Sequence, residues 1–207
     1  PLTRVPEKLY AESIQTNTLT GLCGYIKSNV DDMDAKMLIH VVSPTKVRLL
    51  SALDEEKGRE CLMEAHALVP EFTFGKFMFQ EEFCIALQSK FINYGDRDLV
   101  LKFAGTVEDG TVTQYGDDGV TQKATVKTGL ASKADAVVPN PVKLAPYRTF
   151  MEAEQPESDF IFRMREGVQC AVFEADGGAW KNQAMENVKA YLIEQLKEFG
   201  SQFAVIS

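Results

Sequence analysis

The sequence predicts an α+β fold, with a mixed or antiparallel sheet of hairpins and about four helices. Segments of helical periodicity alternate with runs rich in β-branched and aromatic residues, as such a fold requires. Two of these runs, 159–165 and 168–174, are joined by Glu166-Gly167, which is a good hairpin signal. The chain ends with a long amphipathic helix predicted over 179–199. The hairpin and this helix are the elements that define the class.

Alternation of residues along the hairpin sorts its first strand into two faces. Phe160, Phe162 and Met164 fall on one face, and Arg163 and Arg165 fall on the other. The first face suits a hydrophobic core. The second places two arginines side by side.

The amino-terminal part of the chain predicts an arm, a helix and two strands. Residues 1–15 lack periodicity and are expected to form an extended arm. Thr18 suits the N-cap of a helix over 19–28. Four apolar residues form one stripe along it, namely Leu19, Leu22, Cys23 and Ile26. Gly21 and Gly24 each weaken this helix by about 1 kcal/mol relative to Ala, unless they allow close approach of a neighbour. Strands at 37–43 and 46–52, joined by a proline-containing turn, are expected to pair.

The middle of the chain predicts three helices and a second hairpin. The helices are expected at 55–68, where Asp54 can act as the cap, at 80–91 and at 97–104, with Leu99, Val100 and Phe103 facing inward. The second hairpin joins 110–115 to 120–128. Six phenylalanines between 72 and 91 favour a core, although a stacking platform for nucleic-acid bases is the alternative.

Length and composition indicate a single globular domain over 16–207, with a possible sub-boundary near 95–110. No apolar run reaches the roughly 20 residues that span a bilayer, so no membrane association is expected. The four cysteines have no metal-binding spacing and are expected to be buried free thiols, which favours a reducing, intracellular location. With only two histidines, far apart in sequence, no zinc site is expected.

The net charge of −8 argues against a nucleic-acid footprint over the whole protein, because phosphate binding requires clustered cations. A local basic groove is still compatible with it. The candidates for nucleic-acid or partner binding are Arg148, Arg163, Arg165, Lys123, Lys127 and Lys143. The alternative is an ordinary solvated strand face.

No motif points to catalysis or to a cofactor. The sequence has no Walker loop, GxGxxG, GxSxG or HExxH, and it offers no nucleophile with a base, so we predict no catalytic residue. Glu108, Asp109, Asp117 and Asp118 could suggest a divalent metal, but Asp-Asp-Gly is also a common turn composition. Glu174 and Asp176 could be paired carboxylates, although Asp176 is better explained as a helix cap.

Several segments resemble a family of uncharacterised phage and prophage proteins. They are LTGLCGYIKSN at 19–29, IHVVSP at 39–44, 79–87 with Glu81-Glu82-Phe83, DDGVTQKATVKTG at 117–129, VPNPVKLAPYRTF at 138–150, EQPES at 154–158 and FEADGGAW at 173–180. The resemblance covers most of the chain. It implies phage origin and a setting inside the host cell, and it transfers no catalytic residue.

Three functions follow as hypotheses. The first is a non-enzymatic, self-assembling homo-oligomer that binds nucleic acid or a host defence component in the host cytoplasm. The second is a structural shell or virion subunit, which rests on analogy of shape. The third is a metal-dependent enzyme that uses Glu174, Asp176, Asp117 and Asp118.

Overall fold

A computed structural model describes residues 9–33, 35–108, 113–114, 121–127 and 133–207. It confirms the α+β class, with four helices and both parallel and antiparallel strand pairs. The chain divides into two compact units. Unit 1 comprises 1–68, 149–154 and 184–207, and unit 2 comprises 69–148 and 155–183. The sub-boundary predicted near 95–110 falls inside unit 2.

The elements follow one another along the chain as strands β1 to β12 and helices α1 to α4. The strands are β1 (Ile14–Thr16), β2 (Met37–Ser43), β3 (Lys46–Leu50), β4 (Cys61–His66), β5 (Met78–Phe79), β6 (Thr113–Gln114), β7 (Gln122–Lys127), β8 (Lys133–Val137), β9 (Val142–Leu144), β10 (Ser158–Arg165), β11 (Gln169–Glu174) and β12 (Phe203–Ile206). The helices are α1 (Leu19–Ser28), α2 (Gln80–Lys90), α3 (Arg97–Thr106) and α4 (Trp180–Gln195).

Unit 1 contains a five-stranded sheet in the order β1-β4-β3-β2-β12. The two edge strands run parallel to their neighbours, and the three central strands are antiparallel. One edge strand, β12, follows α4 near the carboxyl end of the sequence and pairs with β2. The other edge strand, β1, pairs with β4 and includes Ile14 and Gln15, which belong to the segment expected to be an arm.

Helix α1 forms where the sequence predicts it. Thr18 has an extended backbone, and its side chain accepts a hydrogen bond from the Gly21 amide at 2.9 Å. The predicted stripe of four apolar residues is buried. It joins β2, β3 and β4 side chains in one core that also contains Val188 and Leu192 of α4. Burial of this stripe holds the helix despite its two glycines.

The prediction of a helix over 55–68 is wrong, because residues 61–66 of this segment form strand β4. Met63 and Ala65 are buried, while Leu62, Glu64 and His66 between and beside them are only partly buried. Asp54 does act as a cap, but of a turn: its Oδ1 accepts from the Glu56 and Gly58 amides. Pairing with β3 and β1 supplies the backbone hydrogen bonds that a helix would have made.

Unit 2 contains a four-stranded sheet in the order β5-β11-β10-β9. The predicted hairpin is confirmed as β10 and β11, with Arg163 opposite Ala171 and Arg165 opposite Gln169. Phe160, Phe162 and Met164 are buried, as the alternation predicts. They pack with Phe83, Leu87 and Phe91 on and after α2 and with Val100 of α3.

A three-stranded sheet, β6-β7-β8, also belongs to unit 2. The predicted pairing of 110–115 with 120–128 is confirmed for Thr113 and Gln114, which lie opposite Lys123 and Gln122, whereas the turn between them lies outside the described residues. Gln122 is buried and links this sheet to β10. Its amide nitrogen donates to the Met164 carbonyl at 2.9 Å, and its amide oxygen accepts from the Met164 amide at 3.0 Å.

Helices α2 and α3 lie close to their predicted positions. Val100 of α3 is buried, but Leu99 was predicted to face inward and is instead 51% exposed. Helix α4 ends earlier than expected, and a short 3-10 helix, Lys197–Phe199, follows it. Within the described residues, no helix is both long and apolar enough to cross a membrane.

The four cysteines are free. Cys23 and Cys170 are buried, and burial raises the pKa of Cys170 to about 12. Cys61 and Cys84 are only half-buried, so the expectation that every thiol is buried is correct for two of the four.

Candidate nucleic-acid interface

The outer face of the four-stranded sheet brings two arginines together with three phenylalanines. The outward residues of β10 include Arg163 and Arg165. Arg165 lies opposite Gln169, and Gln169 lies opposite Phe79 of β5. We call the set Phe77, Phe79, Arg163, Arg165 and Phe173 the arginine–phenylalanine face.

Arg165 is held in place by contacts within this face. Its guanidinium carbon lies 4.4 Å from the centroid of the Phe77 ring. Its Nε donates to the Gln169 amide oxygen at 2.8 Å. The Phe77 ring meets the Phe173 ring edge-on, with 6.1 Å between the centroids. The contacts therefore align a cation with two aromatic rings.

Two side chains of the face are presented to solvent. Phe79 is 65% exposed, so its ring is accessible to a stacking partner. Arg165 is exposed as well. An exposed phenylalanine beside an arginine can stack a nucleobase and contact its phosphate, because every base has a π-face and every linkage carries a negative charge.

Arg163 is only partly exposed and has an unsatisfied donor. Its Nη1 is buried and makes no hydrogen bond with the described part of the chain. A buried donor without an acceptor is costly, and such atoms are few in folded proteins. A ligand oxygen that reached this guanidinium would offset that cost.

A cavity of about 590 Å³ adjoins Phe77 and runs beside α2. Ile85 and Met78 contribute apolar surface to it, and Glu81 and Glu82 contribute negative charge. Glu71, Lys76 and Lys90 line this cavity as well, so its charge is mixed and does not by itself favour or exclude a phosphate.

Arg148 does not lie on this face. Its side chain is 7% exposed, donates to Glu174 at 3.1 Å, and hydrogen-bonds Ser158. Burial lowers the pKa of Arg148 to about 10, although the nearby Glu174 and Asp176 carboxylates oppose that effect. The guanidinium is still protonated at neutral pH, but it is used inside unit 2.

The three candidate lysines are not members of the arginine–phenylalanine face, although Lys143, which lies opposite Asp159, is on the same side of the four-stranded sheet. Lys143 of β9 pairs with Asp159 at 3.3 Å and with Glu157 at 3.7 Å, so its charge is already compensated. Lys123 and Lys127 belong to β7, in the other sheet. Lys127 lines a separate cavity of about 400 Å³ together with Lys102. Of the six basic candidates, Arg163 and Arg165 share the outer face of β10, where Arg165 stacks on Phe77. Arg148 also stacks on an aromatic ring, that of Trp180, but it does so inside unit 2.

The acidic candidates for metal binding have structural roles where they are described. Glu174 accepts from Arg148, and Asp176 accepts hydrogen bonds from the Gly178 and Trp180 amides at the start of α4. Glu108 pairs with Lys133 at 2.6 Å. Asp109, Asp117 and Asp118 lie outside the described residues. No group of three potential metal ligands occurs in the described part of the chain.

The sequence offered Phe77 and Phe79 as part of a stacking platform only as the alternative to a core, and it did not point to Phe173. Phe72, Phe74, Phe83 and Phe91 pack in or against the core, as predicted, whereas Phe77 and Phe79 lie on the outer face. Gly75 separates the two groups and has a φ of +75°, which few other residues adopt. Phe72 and Phe74 precede this glycine at even positions, and Phe77 and Phe79 follow it at odd positions. That shift in the alternation was the sequence signal that the later pair lies on the other side of the sheet.

No family model, curated protein or solved structure matches this chain.

Proposed function

We propose that this chain is a non-enzymatic binding protein that binds single-stranded nucleic acid through the arginine–phenylalanine face. The observation that supports it most is the stack of Arg165 on Phe77 next to the exposed Phe79. Aromatic rings interleaved with arginines on a sheet are a common platform for unpaired bases.

The acidic composition limits the electrostatic contribution to nucleic-acid binding. With a net charge of −8, the protein repels polyanions at long range, so stacking must contribute much of the affinity. Bases in a duplex are already stacked and do not offer their faces. We therefore expect a preference for single strands over duplexes.

The resemblance to phage and prophage proteins supports a phage origin and a site of action inside the host cell. Self-association is part of the same proposal, since β1 and β12 are edge strands of the five-stranded sheet. Sedimentation velocity tests it: a concentration-independent oligomer supports self-assembly, and a monomer at all concentrations excludes it.

Fluorescence anisotropy with a labelled 12-mer oligothymidine tests the binding proposal. Phe79→Ala should weaken binding by roughly 5- to 150-fold, which corresponds to one lost base stack of about 1–3 kcal/mol. Tyr94→Ala is the matched control, because Tyr94 also lies in unit 2 and is 63% exposed, close to the 65% of Phe79. Equal losses in the two variants, or equal affinity for a 12-base-pair duplex, would contradict the proposal.

A further inference from the structure

The outer face of the five-stranded sheet in unit 1 carries a second basic cluster, separate from the arginine–phenylalanine face. His40 lies opposite Arg48, and Arg48 lies opposite Glu64. In the next row, Lys46 lies opposite His66. We call Lys46, Arg48, His66 and Glu64 the β3–β4 cluster, with His40 beside it.

Glu64 is the centre of the β3–β4 cluster. Its Oε1 accepts from Arg48 Nε at 2.5 Å and lies 3.2 Å from Lys46 Nζ, and its Oε2 lies 3.2 Å from His66 Nε2. Partial burial alone would raise the pKa of Glu64, but the hydrogen bonds from His66, Lys46 and Arg48 outweigh it and lower this pKa to about 2. The carboxylate is thus ionised and fixes all three neighbours.

These contacts leave donors available for a ligand. Arg48 uses Nε for Glu64, and its side chain is 42% exposed. Among the described residues no partner accepts from its two terminal nitrogens, and Lys46 Nζ carries three protons for its one carboxylate contact. A guanidinium with both terminal nitrogens available matches two oxygens of a phosphate.

The charges of the cluster favour an anion. Lys46 and Arg48 contribute two positive charges and Glu64 one negative charge, which leaves one net positive charge before either histidine is protonated. The whole chain, in contrast, carries −8. Protonation of His66 or His40 would add charge at the same place.

We propose that the β3–β4 cluster binds a phosphate group, with the terminal nitrogens of Arg48 and the Lys46 ammonium as its donors and Glu64 as the residue that positions them. Both His66 and His40 then lie beside the bound anion. The phosphate can belong to a small phosphorylated molecule or to a nucleic-acid backbone. This site does not depend on the arginine–phenylalanine face.

The histidines make the test direct, because His40 and His66 are the only two in the chain. Histidine ring NMR signals of the full chain are recorded during a titration with inorganic phosphate, and chloride at equal ionic strength is the control. His40→Gln and His66→Gln assign the two signals. We expect both signals to move saturably with phosphate.

Variants distinguish phosphate binding at the β3–β4 cluster from a general effect of removing a positive charge. Arg48→Gln should abolish the phosphate response, and Arg48→Lys, which keeps the charge but loses the paired donors, should weaken it about tenfold or more. Arg59→Gln is the matched control, because Arg59 is an exposed arginine of the same unit. If Arg48→Gln does not fold, Lys46→Gln provides the same test.

Two ligands distinguish the source of the phosphate. A response to inorganic phosphate indicates a small phosphorylated ligand, and a response to oligothymidine alone indicates a backbone phosphate; each supports a phosphate site. The proposal is overturned if neither ligand moves the signals, if chloride moves them equally, or if Arg59→Gln and Arg48→Gln behave alike.

Discussion

The guanidinium carbon of Arg148 lies 4.0 Å from the centroid of the Trp180 ring. The same guanidinium reaches Glu174 and Ser158, which ties the end of β11 and the start of β10 to the first residue of α4. Its Nε and the Trp180 indole nitrogen are both buried and have no hydrogen-bond partner in the described part of the chain. Arg148 is therefore held by its stacking on Trp180 and by the hydrogen bonds that its two terminal nitrogens donate.

Removal of Arg148 should destabilise unit 2. Arg148→Ala removes the stacking on Trp180 and the buried hydrogen bonds of the guanidinium, at a cost of about 2–4 kcal/mol in the free energy of unfolding. Urea denaturation measures this cost. Because Trp180 is the only tryptophan, its fluorescence also reports the lost contact directly.

Arg165→Ala is the control for that experiment, because Arg165 is exposed. It should change the free energy of unfolding by less than about 1 kcal/mol. An Arg148→Ala protein as stable as the wild type, or with unchanged tryptophan emission, would show that the stack contributes nothing.

The two glycines of α1 should respond in opposite directions to alanine. Nothing lies within 4 Å of a Cβ placed on Gly24, so Gly24→Ala should stabilise the protein by up to about 1 kcal/mol. A Cβ on Gly21 would collide with the Thr16 hydroxyl and come within 3.0 Å of the Thr18 hydroxyl that caps the helix. Gly21→Ala should therefore lower the melting temperature, and a rise in both variants would refute the close approach.

Acid should weaken unit 1 through Glu64. The folded-state pKa is lowered to about 2, below the ordinary value of 4.5, so Glu64 stabilises the fold above about pH 4.5 and loses this contribution as the pH falls towards 2. The loss should be on the order of 1–2 kcal/mol, because its three partners are partly exposed and screened.

Glu64→Gln should flatten the dependence of unfolding free energy on pH between 5 and 2. Glu194→Gln serves as the control, since Glu194 is 67% exposed and pairs only with the exposed Lys197 in the described structure. The same slope in all three proteins would disprove the role of Glu64.

Salt should affect oligothymidine binding only weakly. Two arginines that each displace one counterion predict a slope of log K against log salt of about −1.4. Anisotropy titrations between 50 and 300 mM NaCl measure this slope. A value steeper than about −4 would require a much larger basic surface than Arg163 and Arg165 provide.

Much of the fold follows from local patterns. Thr18 and the stripe after it predict α1 in full, and the alternation of Phe160, Phe162 and Met164 predicts the buried face of β10. Residues 61–66 show the limit of such patterns. Cys61, Leu62 and Ala65 fit a helical stripe as well as a strand, and pairing with β3 and β1 decides between them.

The candidate site shows the same limit. Arg163 and Arg165 are predicted to share a face because side chains alternate between the two faces of a strand. The approach of Phe77 and Phe79 depends instead on the backbone conformation of Gly75 and on the pairing of β5 with β11. Burial of Arg148 depends on Glu174 and Trp180, which are 26 and 32 residues away in sequence. Long-range contacts of this kind leave no local signature.

Photo-crosslinking tests the central proposal most directly. Oligothymidine that contains 5-bromodeoxyuridine is irradiated with the protein, and the adducts are mapped by mass spectrometry. We expect adducts on peptides that contain Phe77, Phe79 or Phe173, and we expect these adducts to be lost in Phe79→Ala but not in Tyr94→Ala. Adducts confined to other peptides, or no adduct at saturating oligonucleotide, would contradict it.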